Sequence, residues 1–229
     1  MESSSLRSTS AHVLVEPEML ATLTIDDDTE HHLRRVLRLR DGESVSLTDG
    51  AGRWLMGVVV LDGSSLTLEP VGEIVVEAAR ADPFTIATAM PKGDRLDWLV
   101  QKVTELGADR IALLHAERSV VRWKAGRVEA QLARLQRISD EACRQSRRIW
   151  RVEIDAPVEA ASVLDQFAVA EPDGRRLEPT ERMVAIGPEG GWVPHELARA
   201  RESVSLGSTI LRTETAAVAA TALCVTFER

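Results

Sequence analysis

The chain has 229 residues, which is enough for one large domain or two modest ones. Hydrophobic residues make up 44% and charged residues 28% of the composition, as in an ordinary globular protein rather than a fibrous or disordered one. No apolar run is long enough to span a bilayer, and the first residues lack a secretory pattern. Cys143 and Cys224 are far apart without metal-like spacing, so we expect reduced core residues of a cytoplasmic protein with no membrane partner.

Short strands separated by turns are predicted for the first third of the chain. Residues 12–15 and 23–25 are predicted strands, and a short helix is predicted to end at Arg38. No third ligand is spaced to make a metal site with His31 and His32, so no metal is expected. Alternating apolar residues with a glycine turn are typical of a small β-barrel, and they occur at residues 45–47, 49–52, 54–61 and 66–68.

Strands that alternate with helices are predicted from residue 84 onwards, which is typical of a mostly parallel sheet. One helix follows Asp94 and ends at Gly107 with an apolar stripe on one face, and a longer helix covers residues 126–146. We expect the polar residues 171–181 to form a mobile loop. The strands are expected at residues 84–89, 111–114, 152–154, 167–170, 183–186 and 204–206.

Two glycine-containing loops each follow one of these strands. Residues 187–191, Gly-Pro-Glu-Gly-Gly, lead to a helix with Pro194 in its first turn, and residues 206–212 lead to an alanine-rich helix capped by Thr213 or Thr215. Glycine permits backbone angles and close approaches that a Cβ atom would forbid. The first loop matches neither a dinucleotide-binding fingerprint nor a P-loop, and alone it is equally consistent with a tight turn. Because parallel strands end at one edge of their sheet, we expect the two loops to form one ligand pocket.

The same two loops carry a resemblance to a known family. Residues 186–191, Ile-Gly-Pro-Glu-Gly-Gly, and residues 206–216, Leu-Gly-Ser-Thr-Ile-Leu-Arg-Thr-Glu-Thr-Ala, resemble the SPOUT class of S-adenosylmethionine-dependent RNA methyltransferases. Within that class the chain is similar to the RsmE family, which methylates N3 of a uridine in 16S ribosomal RNA. One departure is Val193, because the family commonly has a Ser or Thr there to cap the helix. Shorter matches extend along most of the chain, at residues 32–38, 101–107, 117–119 and 141–145.

The resemblance implies an α/β protein of two domains. Residues 1–75 would form a PUA-like, RNA-binding small β-barrel, and residues 83–229 a SPOUT methyltransferase domain with a C-terminal trefoil knot. The knot follows from the resemblance alone, since true knots are rare. The implied partner is 16S ribosomal RNA within the small ribosomal subunit. The implied working unit is a homodimer that buries the helix at residues 215–227, whose alanines surround much of its circumference.

The implied cofactor is S-adenosyl-L-methionine. Glycine loops expose amides and carbonyls, so we expect it to bind mainly backbone groups of both loops. The strand end near Met90 and the loop after Ala170 are expected to close the sides of the pocket. The predicted contacts are Ile186, Gly187, Glu189, Gly190, Gly191, Leu206, Gly207, Ile210, Leu211 and Arg212.

Methylation at uridine N3 requires loss of the N3 proton and stabilisation of charge that develops on the uracil. Glu189 and Glu214 are the candidate bases, since burial beside apolar residues would raise the pKa of a carboxyl group. Each has a structural alternative, as a cap of loop amides or an acid in the first turn of a helix. Arg212 is the candidate to orient the base or stabilise the uracil anion, unless it forms a salt bridge to either glutamate.

Basic residues cluster in two segments although the formal net charge is −8. Residues 118–151 contain ten Arg or Lys against three acids. Residues 31–40 contain four Arg and no Asp or Glu. Such patches suit selective phosphate contacts, or they are solvated helix faces. Trp123 and Trp150 lie nearby and would either stack on bases or pack in the fold. The RNA-binding candidates are Arg34, Arg35, Arg38, Arg118, Arg122, Arg144, Arg147 and Arg148.

Two other functions are alternatives to methyl transfer. A non-catalytic RNA-binding or ribosome-assembly protein on the same fold predicts a degraded pocket, which the intact glycine loops argue against. A nucleotide-dependent ligase or hydrolase predicts a phosphate loop or an acidic metal cluster, and the sequence contains neither.

Overall fold

A computed structural model describes residues 6–63 and 65–226. They fall into two compact units. The first comprises the described residues up to Arg80 together with Cys143–Arg151, and the second comprises Ala81–Ala142 and the described residues from Val152 onwards. Within the described residues, no helix is long and apolar enough to cross a membrane, and no cluster of side chains could hold a metal ion. Cys143 and Cys224 are buried and are not joined by a disulfide, in agreement with the prediction of reduced core residues.

The first unit contains a four-stranded sheet in the order β1-β2-β3-β4. Strand β1 is parallel to β2, and the pairs β2–β3 and β3–β4 are antiparallel. Alternate residues of these strands face a core in which Leu20, Leu33, Val45, Leu47 and Val59 are almost fully buried. The strands are β1 (Ala11–Leu14), β2 (Ser44–Thr48), β3 (Arg53–Asp62) and β4 (Ser65–Val76).

The segment between β1 and β2 is helical, with α1 (Pro17–Thr22) and α2 (Asp27–His31). The strand predicted at residues 23–25 is wrong. Leu23 instead ends α1 in the left-handed region with φ of 53°, and it packs with Ile25 against the core. The apolar character that suggested a strand is therefore used for packing. The helix predicted to reach Arg38 is α2 followed by a π-helical turn, His32–Val36.

The segment Cys143–Arg151 is hydrogen-bonded to this sheet within the first unit. The backbone N–H of Gly52 donates to the Ile149 carbonyl at 3.0 Å, and Ala51 forms an isolated bridge with Trp150. Gly52 has φ of 87°, and a Cβ atom there would lie 2.2 Å from the Trp150 ring. The glycine is needed both for its backbone angle and for the close approach of this tryptophan.

The second unit contains a parallel sheet in the order β11-β9-β10-β5-β6-β7, with β8 paired to β6. Its central strands are buried on both faces, as expected for a parallel sheet covered by helices. The strands are β5 (Thr85–Ala89), β6 (Arg110–His115), β7 (Glu153–Ile154), β8 (Val158–Glu159), β9 (Ala168–Arg176), β10 (Met183–Ile186) and β11 (Glu202–Ser205).

The helices of the second unit follow the predicted pattern closely. They are α3 (Arg95–Leu106), α4 (Val128–Ser146, whose last residues group with the first unit), α5 (Pro194–Leu197) and α6 (Thr213–Thr226). Helix α3 ends at Gly107, which has φ of 103°, and its buried stripe includes Leu99 and Val103. Helix α6 packs against α3 and buries Ala217 and Ala220. Phe227, where α6 was predicted to end, lies outside the described residues.

Strand β9 differs from the prediction because it continues to Arg176, where a mobile loop was expected. Its pairing with β11 is interrupted: Ser203 pairs with Val169, whereas the next residue, Val204, pairs with Arg175. Residues 170–174 therefore form a wide bulge in β9. Bulges redirect side chains beside functional sites, and this one lies where the carboxyl ends of β10 and β11 meet.

Candidate functional site

A cavity of about 530 Å³ lies at the carboxyl ends of β10 and β11, within the second unit. Its size is in the range of pockets that hold a small molecule or cofactor. Three segments enclose it: the β9 bulge at residues 170–172, the first glycine loop with its flanks at residues 186–192, and residues 205–213, which lead into α6. The two glycine loops predicted to form one pocket do so.

The first glycine loop packs tightly against the side chains of Trp192 and Arg118. A Cβ atom on Gly187 would lie 2.9 Å from the Trp192 indole, and one on Gly190 would lie 3.3 Å from the Arg118 side chain. Arg118 Nη1 also donates a hydrogen bond to the Gly190 carbonyl at 2.9 Å. The glycines thus allow the loop to pack closely against these two side chains, of which Trp192 also lines the cavity.

The helix after this loop begins without a capping side chain from Val193. The carboxylate of Glu196 instead reaches back to the start of the helix, where it accepts a hydrogen bond from the Val193 backbone N–H at 3.1 Å. The same carboxylate accepts from the Glu117 N–H at 2.9 Å. Glu196 is buried, so both amides are satisfied in the protein interior. The departure at Val193 therefore removes one side-chain acceptor, while Glu196 still ties the helix start to Val193 and Glu117.

The second glycine loop is more open than the first. Gly207 has φ of 148°, a value that side chains rarely adopt, and Ile210 is 82% exposed. Arg212 lines the cavity, is exposed, and forms no ion pair within 4 Å among the described residues. Among the described residues, Arg212 therefore does not form the alternative salt bridge to Glu189 or Glu214. The guanidinium is available to a ligand.

Thr213 and Arg95 connect the two loops. The Thr213 hydroxyl donates a hydrogen bond to the Gly187 carbonyl at 3.0 Å. Arg95 Nη1 lies 3.1 Å from Glu189 Oε1 and 3.8 Å from Glu214 Oε2. Glu189 lines the cavity, whereas Glu214 is buried in the first turn of α6 and does not line it. Of the two predicted bases, only Glu189 faces the cavity.

Glu171 is a third carboxylate at the cavity, and the β9 bulge places it there. Burial raises the pKa of Glu171, while a hydrogen bond from the Trp192 backbone acts in the opposite direction. No described cation lies within ion-pair distance of it. A half-buried carboxylate without a counter-ion is available to the cationic or hydroxyl groups of a ligand.

All ten predicted cofactor contacts, from Ile186 to Arg212, line this cavity. Met90 does not line it, although it is buried. The loop after Ala170 does close one side, as expected, through residues 170–172, although Glu171 was not singled out within it. Sequence reasoning missed Arg95 and Trp192. Pro172 and Gly174, which follow Glu171, indicated irregular structure, and this segment was predicted to be a loop. Arg95 gave no local signal, because its partners are far away in sequence.

The predicted RNA-binding arginines are distributed over both units. Arg34, Arg35 and Arg38 lie on the helical segment of the first unit, with Arg35 and Arg38 exposed. Arg144, Arg147 and Arg148, which sequence reasoning placed in the second domain, belong to the segment that groups with the first unit. Arg147 donates to the Thr9 carbonyl at 2.6 Å, and burial lowers its pKa. In the second unit, Arg118 contacts the glycine loop and Arg122 pairs with Glu159 at 2.7 Å.

Two family models match the chain. The model described as RNA methyltransferase domain matches residues 79–225, and the model described as RNA methyltransferase PUA domain matches residues 25–71. The first match covers more than half of the chain and includes every segment of the cavity. The four-stranded sheet of the first unit overlaps the second match.

Named relatives and a solved structure agree with these models. The chain is 32% identical to ribosomal RNA small subunit methyltransferase E of Mycobacterium tuberculosis, over 89% of this chain and 86% of that protein. It is 33% identical to the protein of the same name from Synechocystis, over 92% of this chain and 75% of that protein. The Neisseria gonorrhoeae enzyme, solved bound to S-adenosyl methionine, superposes with a TM-score of 0.75 at 29% identity, covering 88% of this chain and 90% of that chain.

Proposed function

The chain belongs to the ribosomal RNA small subunit methyltransferase E family, and we propose that it transfers a methyl group from S-adenosyl-L-methionine to N3 of a uridine in 16S ribosomal RNA. It is an S-adenosylmethionine-dependent RNA methyltransferase. The observation that carries the proposal is the cavity built from both glycine loops, in a fold whose relative was solved with this cofactor. A non-catalytic protein would not need a cavity with these free polar groups.

The residues of the cavity suit this cofactor. Backbone amides and carbonyls of the loops match the hydrogen-bonding edges of an adenine, and Glu171 offers a carboxylate to ribose hydroxyls or to a positive charge. When bound, the cofactor supplies a methyl group on a sulfonium. The proposed contacts are the ten loop residues from Ile186 to Arg212, with Glu171 added from the β9 bulge.

The chemistry at the uracil requires a proton acceptor and a stabilising cation. Arg212 has no ion-pair partner among the described residues, so its guanidinium can face the anion that forms when N3 loses its proton. Glu189 and Glu171 are the carboxylates at the cavity that can accept this proton. Glu214 is buried behind the cavity and contributes to the position of Arg95 instead.

Ribosomal RNA is proposed to contact the exposed arginines of both units, within the small subunit and hence in the cytoplasm. Arg35 and Arg38 are exposed on the first unit, and Arg118 lies beside the cavity on the second. Replacing Arg35 by Ala should weaken RNA binding and flatten its dependence on salt, because one phosphate contact is lost. Cofactor affinity should not change. An unchanged salt dependence would place the RNA surface elsewhere.

We also propose two features of the fold: the first unit forms a closed barrel, and the second unit contains a trefoil knot. The course of the chain supports the knot: β11 lies at the sheet edge beyond β9, whereas α6 packs against α3 and touches Gly187 through Thr213. The chain between them must cross the ends of β9 and β10. If it is knotted, stretching the unfolded chain from both ends should stop short of its full contour length, and complete extension would exclude the knot.

The decisive experiment measures methyl transfer to small ribosomal subunits that lack the modification. Subunits incubated with the protein and labelled cofactor should yield N3-methyluridine after nuclease digestion. Gly207→Val should abolish the transfer, because valine does not adopt a φ near 148°. Cofactor binding without transfer to any RNA would favour the non-catalytic alternative, and a label on another atom would reject N3 as the acceptor.

A further inference from the structure

Arg95 lies outside the cavity, at the first position of α3. Its side chain contacts Glu189 of the first glycine loop and Glu214 of α6. We propose that Arg95 is a positioning residue for methyl transfer, which acts through Glu189 and Glu214 to hold the first glycine loop against the first turn of α6. The inference rests on the proposed function, because the site whose shape Arg95 would maintain is the proposed cofactor site.

The contacts of Arg95 join three segments that are distant in sequence. Its Nη1 pairs with Glu189 of the first glycine loop at 3.1 Å and lies 3.8 Å from Glu214 of α6. Its Nε–H donates to the Lys92 carbonyl, in the loop after β5, at 3.2 Å. This hydrogen bond fixes the orientation of the guanidinium group and keeps its positive charge close to both glutamates.

Burial makes the Arg95 contact with Glu214 hard to replace. Glu214 is buried, and its Oε2 atom has no hydrogen-bond partner in the described part of the chain. A buried carboxylate is costly unless an opposite charge compensates it, and Arg95 lies 3.8 Å from Glu214 and supplies that charge. Glu214 thereby anchors Arg95, and Arg95 in turn can hold the more exposed Glu189.

The consequence for the cavity is that its first loop is fixed at two points. The Thr213 hydroxyl binds the loop at the Gly187 carbonyl, and Arg95 binds it two residues later at the Glu189 side chain. The backbone groups between them face the cavity. A loop already held in its binding conformation loses less conformational freedom when a ligand binds. Loss of Arg95 should therefore weaken binding without removing any cavity-lining group.

The test is a double-mutant cycle on the full chain, with affinity for S-adenosylhomocysteine measured by calorimetry. Arg95→Met should weaken binding about tenfold, and Glu189→Gln at least as much, because Glu189 also lines the cavity. The double variant should bind no more weakly than Glu189→Gln alone, because both changes break the same link. Arg95→Lys should recover part of the loss, since a lysine keeps the charge but not the three-way geometry. Lys102→Met is the matched control, because it breaks a pair with Glu105 on the same helix, and it should bind normally.

Two further measurements separate positioning from a loss of folding. Arg95→Met combined with Glu214→Gln removes the uncompensated buried carboxylate, so this variant should melt near the wild-type temperature and still bind weakly. In methyl transfer, Arg95→Met should raise the KM for cofactor about tenfold and leave kcat at saturation roughly unchanged. Additive losses in the cycle, or wild-type affinity in Arg95→Met, would overturn this inference but leave the proposed function intact. Failure of the wild-type protein to bind would overturn the proposed function as well.

Discussion

At the scale of single residues, Glu171 shows how the fold prepares a charged group for a ligand. Burial raises the pKa of its carboxyl group, and no described cation lies close enough to neutralise it. An unpaired carboxylate in that position costs stability in the empty protein. The presence of this carboxylate in the cavity is explained if a bound ligand supplies the missing positive charge or hydrogen-bond donor.

We predict that Glu171→Gln weakens S-adenosylmethionine binding about tenfold at pH 7.5, the loss expected for a hydrogen bond to a charged group. Because the pKa of Glu171 is raised, the wild-type carboxyl protonates at a higher pH than an ordinary glutamate. Wild-type affinity should therefore fall on acidification toward that of the variant. Calorimetry at several pH values measures both curves. A constant gap between them at all pH values would show that the charge of Glu171 does not contribute.

His12 is a buried titratable residue in the first unit. Its Nε2–H donates to the Arg148 carbonyl at 3.0 Å, so its Nδ1 accepts from the Ser46 hydroxyl at 2.7 Å and the ring is neutral. Burial lowers the pKa of His12 to about 4; the Arg148 carbonyl opposes this shift, and the charges of Arg147 and Arg144 add to it. Protonation would place a second donor against the serine and a charge among arginines.

The resulting prediction is a loss of stability in acid. The folded-state pKa lies below the unfolded value of 6.5, so the contribution of His12 is complete above pH 6.5 and disappears as pH falls toward 4. Between pH 7.5 and pH 5, the free energy of unfolding should fall by about 2 kcal/mol more in the wild type than in His12→Gln. Urea unfolding at the two pH values measures the difference. Equal losses in both proteins would contradict the assigned protonation state.

The local rules for glycine and for strand ends were sufficient to predict the cavity-lining loops from sequence. Gly187 and Gly207 occupy positions where close packing or an unusual φ requires glycine, and such requirements leave a signal in the sequence itself. Arg95 could not be found in this way. Its role depends on contacts with Glu189 and Glu214, which only the tertiary structure brings together.

At the scale of elements, β9 is where local pattern and fold disagree most. The run Glu171-Pro172-Asp173-Gly174 has the composition of a turn, and it was predicted as a loop. Pairing with β11 on both sides of the bulge makes it part of a strand, and ion pairs from Arg175 to Glu181 and Glu202 hold the far end. This pairing is a long-range property that a window of sequence does not contain.

Gly174 tests the importance of this bulge. A Cβ atom there would lie 2.5 Å from the backbone nitrogen of Val204, so β11 would have to move. Gly174→Ala should destabilise the protein by about 1–3 kcal/mol and weaken cofactor binding, because the bulge carries Glu171. Gly126→Ala is the control: its methyl group would meet no described atom within 4 Å, and stability should change by less than about 0.5 kcal/mol. Denaturant unfolding and calorimetry measure both quantities, and equal behaviour of the two variants would show that β11 adapts freely.

At the scale of the whole molecule, helix α6 raises the question of what covers its remaining apolar surface. Its alanine-rich sequence predicted burial within its own domain or against a partner. Packing against α3 buries Ala216, Ala217 and Ala220 in the same chain. Val218, Ala219, Ala222 and Leu223 stay only partly buried, so one chain does not cover the helix completely. We propose that a second copy of the chain covers the rest.

A symmetric pair of chains would bring the same face of α6 together from both copies, close to where this helix begins beside the cavity. Ala219→Glu places a charge on the partly buried face, so we expect it to split the dimer and reduce methyl transfer together. Ala220 is unsuitable for this test because it is fully buried within its own chain, and a glutamate there would disrupt folding. Ala130→Glu, at an exposed position of α4, provides the control and should leave both properties unchanged. Light scattering at micromolar concentration, combined with the transfer assay, measures the outcome, and a fully active monomer would exclude the dimer as the working unit.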